Sequence, residues 1–225
     1  MNYEIRGNVV PCVEMDLLKG ETVYTQSGGM FWQTEGIKME TNTRGGLLKG
    51  IGRMFAGESL FMANYTATRD AKIAFSSTVP GSIIPLDVSK GNYIVQKGAF
   101  LAAESSVELK TIFNKKLGSG FFGGEGFILQ ELRGDGIAFL EVDGDAIQID
   151  LAPGQVIKID TGNLVCFEDS ISYEVETVKG LGNIFFGGEG LFLTKLTGPG
   201  EIVLQTMNMN EFAARVGSFI PSKAD

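Results

Sequence analysis

The stretch Phe121-Phe122-Gly123-Gly124-Glu125-Gly126 recurs unchanged as Phe185-Phe186-Gly187-Gly188-Glu189-Gly190. A looser copy, Met54-Phe55-Ala56-Gly57-Glu58-Ser59, precedes both. The three glutamates stand 67 and 64 residues apart. A period of that size predicts three related units, and it constrains the architecture before any chemistry is considered. The likeness extends outward from the motif, since residues 117–126 and 181–190 agree at eight of ten positions. The first unit is looser and carries an insertion, Arg44-Gly45-Gly46-Leu47-Leu48-Lys49.

Around the motif the chain alternates. Ile37-Lys38-Met39-Glu40-Thr41, Val107-Glu108-Leu109-Lys110 and Tyr173-Glu174-Val175-Glu176 each switch between apolar and polar at every step. A period of two marks a strand with one buried face. Further strands are predicted at 57–66, 71–77, 93–97, 125–132, 136–142, 145–151, 155–159, 189–195 and 201–207. Turn groups such as Asp143-Gly144, Gly134-Asp135-Gly136 and Gly198-Pro199-Gly200 separate them. Many short strands joined by glycine turns predict an all-β sandwich or barrel.

The expected layout is a first β repeat over 1–80, a second over 81–150, a third over 151–215 and a tail over 216–225. Each unit is small for a free-standing core, so the three are expected to pack together with pseudo-threefold symmetry. One short helix is predicted near the end. Asn208 or Asn210 would cap it, Glu211 sits in its first turn and Gly217 stops it.

Composition narrows the chemistry. The 225 residues carry a net charge of −8, which disfavours nucleic acid as a partner. Histidine is absent, which excludes serine–histidine and cysteine–histidine nucleophiles and histidine-ligated metal sites. Cys12 and Cys166, the two cysteines, do not make a disulfide framework and read as small buried apolar residues. The N-terminus shows neither a basic nor an apolar signal region, and no apolar run approaches the ~20 residues that span a bilayer. A cytoplasmic location is expected.

Candidate sites are few. Glu58, Glu125 and Glu189 are flanked by small residues that leave each carboxylate free to reach. Either each accepts hydrogen bonds from its own turn, or the three converge and hold a ligand or a hard cation such as Ca²⁺ or Mg²⁺. The connector from Thr43 to Phe55 places Arg44, Lys49 and Arg53 among Leu47, Leu48, Ile51 and Met54. Basic residues interleaved with apolar ones suit a membrane surface or an acidic partner, and equally an ordinary docked loop. No catalytic constellation, dedicated metal site or cofactor is predicted. The glycine-rich connectors match no phosphate-loop pattern. Trp32 is expected in the core or at a subunit contact.

With these motifs in view, the chain resembles bacterial and archaeal relatives of the mitochondrial biogenesis protein "altered inheritance of mitochondria 24". The resemblance covers about residues 1–215 and rests on Phe121–Gly126, Phe185–Gly190, the weaker Phe55–Ser59 and the repeat length. It implies a triplicated double-stranded β-helix unit akin to the tryptophan RNA-binding attenuator protein. It supplies no catalytic or binding residues. The mitochondrial relatives are associated with inner-membrane organisation, which fits a scaffold. An attenuator-like fold raises RNA or tryptophan binding, but the acidic charge weighs against RNA. Cupin enzymes, on a related β-helix, need histidines. The expectation is therefore a non-enzymatic binding or scaffold protein, a homo-oligomer, with a membrane surface or a protein as partner. The alternative is an oligomeric binder of a small ligand or cation.

Overall fold

The computed structural model describes residues 1–26, 28–42, 62–115, 127–178 and 191–220. Nineteen strands and one short α-helix account for most of them. Every strand pairing is antiparallel.

The first segment supplies β1 (Asn2–Arg6), β2 (Cys12–Leu17), β3 (Thr22–Thr25), β4 (Met30–Gln33), β5 (Ile37–Asn42), β6 (Met62–Ala67) and β7 (Ala71–Ser76). The second supplies β8 (Gly81–Asp87), β9 (Tyr93–Gln96), β10 (Phe100–Glu104), β11 (Val107–Lys115), β12 (Phe127–Gly134) and β13 (Ile137–Asp143). The third supplies β14 (Ala146–Leu151), β15 (Val156–Asp160), β16 (Leu164–Glu168), β17 (Ser172–Val178), β18 (Leu191–Thr197) and β19 (Gly200–Gln205). The helix α1 (Met209–Gly217) follows.

Four sheets result, ordered β1-β2-β7-β4, β5-β6-β3-β10-β13-β8, β11-β12-β9-β16-β19-β14 and β15-β18-β17. In the two six-stranded sheets the order is the same, each strand of the second lying six strands later in the chain than its counterpart. The sheets do not follow the segments. β3 of the first segment pairs with β10 of the second, and β9 of the second with β16 of the third. The two six-stranded sheets each draw on two neighbouring segments, whereas the four-stranded and three-stranded sheets each draw on one. The turn at Asp143-Gly144 separates strands, as its residues suggest, but β13 and β14 lie in different sheets. That turn carries the chain from one sheet to the next.

Local features recur at matching strands. β4, β10 and β16 each contain a bulge, with Phe31, Leu101 and Val165 as the extra residue. A bulge shifts the register and bends the strand. A tight 3-10 turn precedes two of them. Gly98 N donates to Gln96 Oε1 at 2.6 Å, and Gly162 N donates to Asp160 Oδ1 at 2.7 Å. Past each bulge a side-chain oxygen takes over the next ladder bond: Lys72 N to Thr34 Oγ1 at 2.9 Å, Ile137 N to Glu104 Oε2 at 2.7 Å and Glu201 N to Glu168 Oε2 at 2.9 Å.

Three apolar clusters fill the interior, and they too cross segments. One joins Val13, Met15, Ile73 and Phe75 to Leu101 and Phe139. The second joins Leu132 and Leu140 to Tyr24 and Val165. The third joins Ile159, Leu196 and Ile202 to Ile94 and Leu129. Tyr24 Oη donates to Val107 O at 3.0 Å, so even the buried phenol bridges two segments with its polar atom satisfied.

Asn208 caps α1, its Oδ1 accepting from Glu211 N at 3.4 Å. Ser218 N donates to Ala214 O, Phe219 N to Val216 O and Ile220 N to Gly217 O, which extends the helical turn past Gly217.

Candidate functional site

Glu58, Glu125, Glu189, Arg44, Lys49 and Arg53 lie outside the described residues. What is described is the strand framework around them. β5 and β6 pair as far as Asn42↔Met62, β11 and β12 as far as Lys115↔Phe127, β17 and β18 as far as Val178↔Leu191. Each repeated motif thus belongs to a chain segment joining two paired strands. β5, β11 and β17 are each the terminal strand of a sheet.

Of the two cysteines expected to be buried, one is. Cys12 is half-buried and Cys166 buried, and both are free thiols. Burial, then the nearby Glu201 carboxylate, pushes the Cys166 thiol far above its ordinary value, so it is no nucleophile. Trp32 is half-buried on β4, the terminal strand of its sheet.

Sequence patterning did not single out the acidic pair on β13. Glu141 and Asp143 are two residues apart, so they share a face of the strand. Glu141 Oε2 accepts from Thr78 N and Ser77 Oγ, both at 3.2 Å. Burial nonetheless raises the proton affinity of Glu141, outweighing those hydrogen bonds. Asp143 is pushed up to about 6, first by burial and then by the Glu141 charge. Asp143 therefore holds its proton up to about pH 6. The two carboxylates do not form a metal cage: among the described residues no three acidic, cysteine or histidine side chains are placed to hold an ion.

The Asp143 shift fixes the sign of a pH effect. The folded state binds this proton more tightly than the unfolded chain, so the stability this group contributes is fully present below its unfolded value and is lost as pH rises through about 6. Asp143→Asn is therefore expected to flatten part of the decline and to be more stable than the native chain at pH 7. Urea midpoints at pH 5, 6 and 7 measure this. An unchanged slope in the variant would overturn the assignment.

A cleft of about 210 Å³ is lined by Met1, Leu17, Glu21, Thr22, Glu104 and Ser105, among others. Its carboxylates are committed to backbone, with Glu21 Oε2 accepting from Leu18 N at 2.8 Å and Glu104 from Ile137 N at 2.7 Å. Ligand pockets run to roughly 300–1,000 Å³, so this cleft suits little more than a few waters.

Among the described residues, the most exposed large apolar side chain lies at the C-terminal end. Phe212, Val216, Phe219 and Ile220 are 50%, 44%, 80% and 66% exposed. Their spacing of four, seven and eight residues places them along one side of a helical turn. That spacing was legible in the sequence.

A model of the family described as "Mitochondrial biogenesis AIM24" matches residues 3–207. An uncharacterized protein of Streptococcus pyogenes serotype M6 (strain ATCC BAA-946 / MGAS10394) is 31% identical over 222 residues, 96% of this chain and 89% of that one. The crystal structure of protein SPYM3_0169 from Streptococcus pyogenes superimposes with a TM-score of 0.81 at 30% identity, covering 97% of this chain and 99% of that one.

Proposed function

The chain belongs to the mitochondrial biogenesis AIM24 family, and from that premise we propose that it is a non-enzymatic, membrane-peripheral binding scaffold. The observation that carries this reading is the apolar stripe Phe212, Val216, Phe219 and Ile220, left uncovered beyond the last strand. A soluble chain gains nothing by exposing two phenylalanines on one side of a terminal helix, whereas a bilayer interface accepts such a face. No described helix is long and apolar enough to cross a membrane, which leaves contact from one side as the helical mode.

The body is the rigid part of the scaffold. We read it as a triplication of one double-stranded β-helix unit. The matching order of the two six-stranded sheets supports this, as do the bulges at Phe31, Leu101 and Val165. Rigid β frameworks commonly carry binding residues on the segments that join their strands. The three motif-bearing segments hold such positions. The connector with Arg44, Lys49 and Arg53 adds positive charge to a surface contact.

Co-sedimentation of the full chain with phosphatidylcholine vesicles, with and without anionic lipid, tests the reading. Each buried phenylalanine contributes about 1.5–3 kcal/mol, so the double variant Phe212→Ser, Phe219→Ser is expected to bind at least about tenfold more weakly. Arg44→Gln with Lys49→Gln and Arg53→Gln is expected to weaken binding only where anionic lipid is present. Equal pelleting of native chain and helix variant, or none by either, would overturn it. A thermal shift with Ca²⁺ or Mg²⁺ that Glu58→Gln, Glu125→Gln and Glu189→Gln together abolish would favour cation binding instead.

A further inference from the structure

β1 has no counterpart in the second and third segments. The orders β2-β7-β4, β8-β13-β10 and β14-β19-β16 match, and only β2 carries a further strand on its outer side. The bulges at Phe31, Leu101 and Val165 set these strands in a common register. Val13, Ile84 and Ile147 then share one position, and Asp16, Asp87 and Asp150 share another. β1 runs antiparallel along β2, with Ile5 opposite Val13 and Asn2 opposite Asp16. β8 and β14 each end a sheet. β8 is blunted in the usual ways: it contains Pro85, and Gly81 N donates to Val9 O of the turn between β1 and β2 at 2.8 Å. β14 has no proline, no lysine and no bulge along Ala146–Leu151.

Burial and charge both mark the β14 edge as lacking what β1 gives β2. Val13 is 0% exposed, whereas Ile147 is 45% exposed. Ile5 packs on the cluster that holds Val13, and Tyr3 on Phe139. On the opposite face of β2, Asp16 makes an ion pair with Lys72 of β7. The residue of β19 that matches Lys72 is Glu201, and it stands opposite Asp150. Like charges directly opposite one another are destabilising. Burial, then the Asp150 and Glu168 charges, raises the proton affinity of Glu201. Among the described residues no basic side chain pairs with Asp150 or Glu201, although Lys158 and Lys195 nearby in sequence pair with Glu176 and Glu174.

We propose that β14 is a strand-addition site for an extended segment of a partner protein, with apolar residues beside Ile147 and Ile149 and a lysine or arginine opposite Asp150. The segment pairs antiparallel along Ala146–Leu151, as β1 pairs along β2. In this mode main-chain hydrogen bonds give affinity and alternate side chains give specificity. The apolar side of the segment extends the third cluster, which already takes in Ile149 and Leu151. The basic residue supplies the cation that Lys72 supplies to Asp16 and that Glu201 cannot supply to Asp150. The inference rests on the strand correspondence read above as a triplication. It gives the scaffold a protein partner and makes no use of the exposed helix face.

The chain's own β1 supplies the probe. A fluorescent peptide of residues 1–8 carrying Asn2→Lys is titrated into the full chain, with anisotropy reading affinity and amide chemical shifts mapping the site. The expected result is binding that moves the amides of Ala146–Leu151 and leaves those of Gly81–Asp87 in place. The same peptide carrying Asn2→Glu is expected to bind at least about tenfold more weakly. In the chain, Asp150→Asn with Glu201→Gln is expected to remove that preference. Gln148→Pro puts a proline where β8 has Pro85 and is expected to abolish binding. No binding at about 1 mM peptide, equal binding of the two peptides, or shifts confined to another edge overturns the proposal. So does a dimer of the native chain that the peptide dissociates, since the edge would then belong to a second copy. The variant Phe212→Ser, Phe219→Ser separates this inference from the membrane reading. Peptide binding without vesicle binding leaves the strand-addition site standing, and vesicle binding by a native chain that ignores both peptides leaves only the membrane reading.

Discussion

Replacing Phe139 by alanine is expected to lower the free energy of unfolding by about 3–5 kcal/mol, read as a fall in urea midpoint at unchanged slope. The ring is 0% exposed, and it sits on β13 between Ala102 of β10 and Pro85 of β8. It belongs to the second segment, yet its apolar neighbours include Val13, Met15, Ile73 and Phe75 of the first. Tyr3 packs against it in a T-shaped pair, with ring centroids 4.9 Å apart and planes at 79°, worth about 0.5–1.5 kcal/mol beyond area. Alanine leaves a cavity that paired strands on both sides cannot collapse into. Phe139→Leu keeps most of the volume and is expected to lose less than half as much. A cost below about 1 kcal/mol for alanine would mean that the segments are not held together through this ring.

The second large effect comes from adding a single methyl. Gly81 opens β8 and pairs with Asp143, its N–H donating to Val9 O at 2.8 Å. A Cβ there would lie 1.9 Å from Val142 O and 3.0 Å from Gly144 N. Both are backbone atoms of the facing strand end, so no rotamer change relieves the clash. Gly81→Ala is expected to cost about 3 kcal/mol or more, or to give little soluble protein. Gly91→Ala is the control, because a Cβ at Gly91 meets nothing within 4 Å and its φ of 168° is ordinary extended backbone. That variant is expected within about 0.5 kcal/mol of the native chain. Equal behaviour of the two would sink the steric account.

Strands with one wet face were the legible part of the fold. Alternation located β5 and β17, and apolar runs between glycine turns located β13, β14, β15 and β19, to within a residue or two, while for β11 alternation found the start but stopped at Lys110, short of Lys115. Three of the missed strands, β8, β10 and β16, have physical excuses. β10 and β16 are buried on both faces for four residues running, which erases the period of two. β8 contains Pro85, which argues against a ladder position. β2 had no excuse: Val13, Met15 and Leu17 alternate inward as a strand should. Which strands pair was not legible, because a sheet that draws on two segments leaves no local trace. At the site, the repeated motif identified positions in the framework, while the Phe212–Ile220 spacing and the Glu141–Asp143 pair went unread. The pair acquires its proton affinity from burial, and Asp143 also from the Glu141 charge, both of which folding creates.

The exchange of strands between segments also orders events on the ribosome. Thr25 Oγ1 donates to Leu101 O, a partner synthesised 76 residues later. At about 5–20 residues per second, β3 emerges several seconds before anything can occupy that side of it. The same wait recurs for β9, whose partner strand is β16. The nascent chain therefore carries an unsatisfied strand edge throughout translation, handed from one segment to the next. Chains stopped after the first or second segment inherit that edge permanently and are expected to be substrates for holding chaperones.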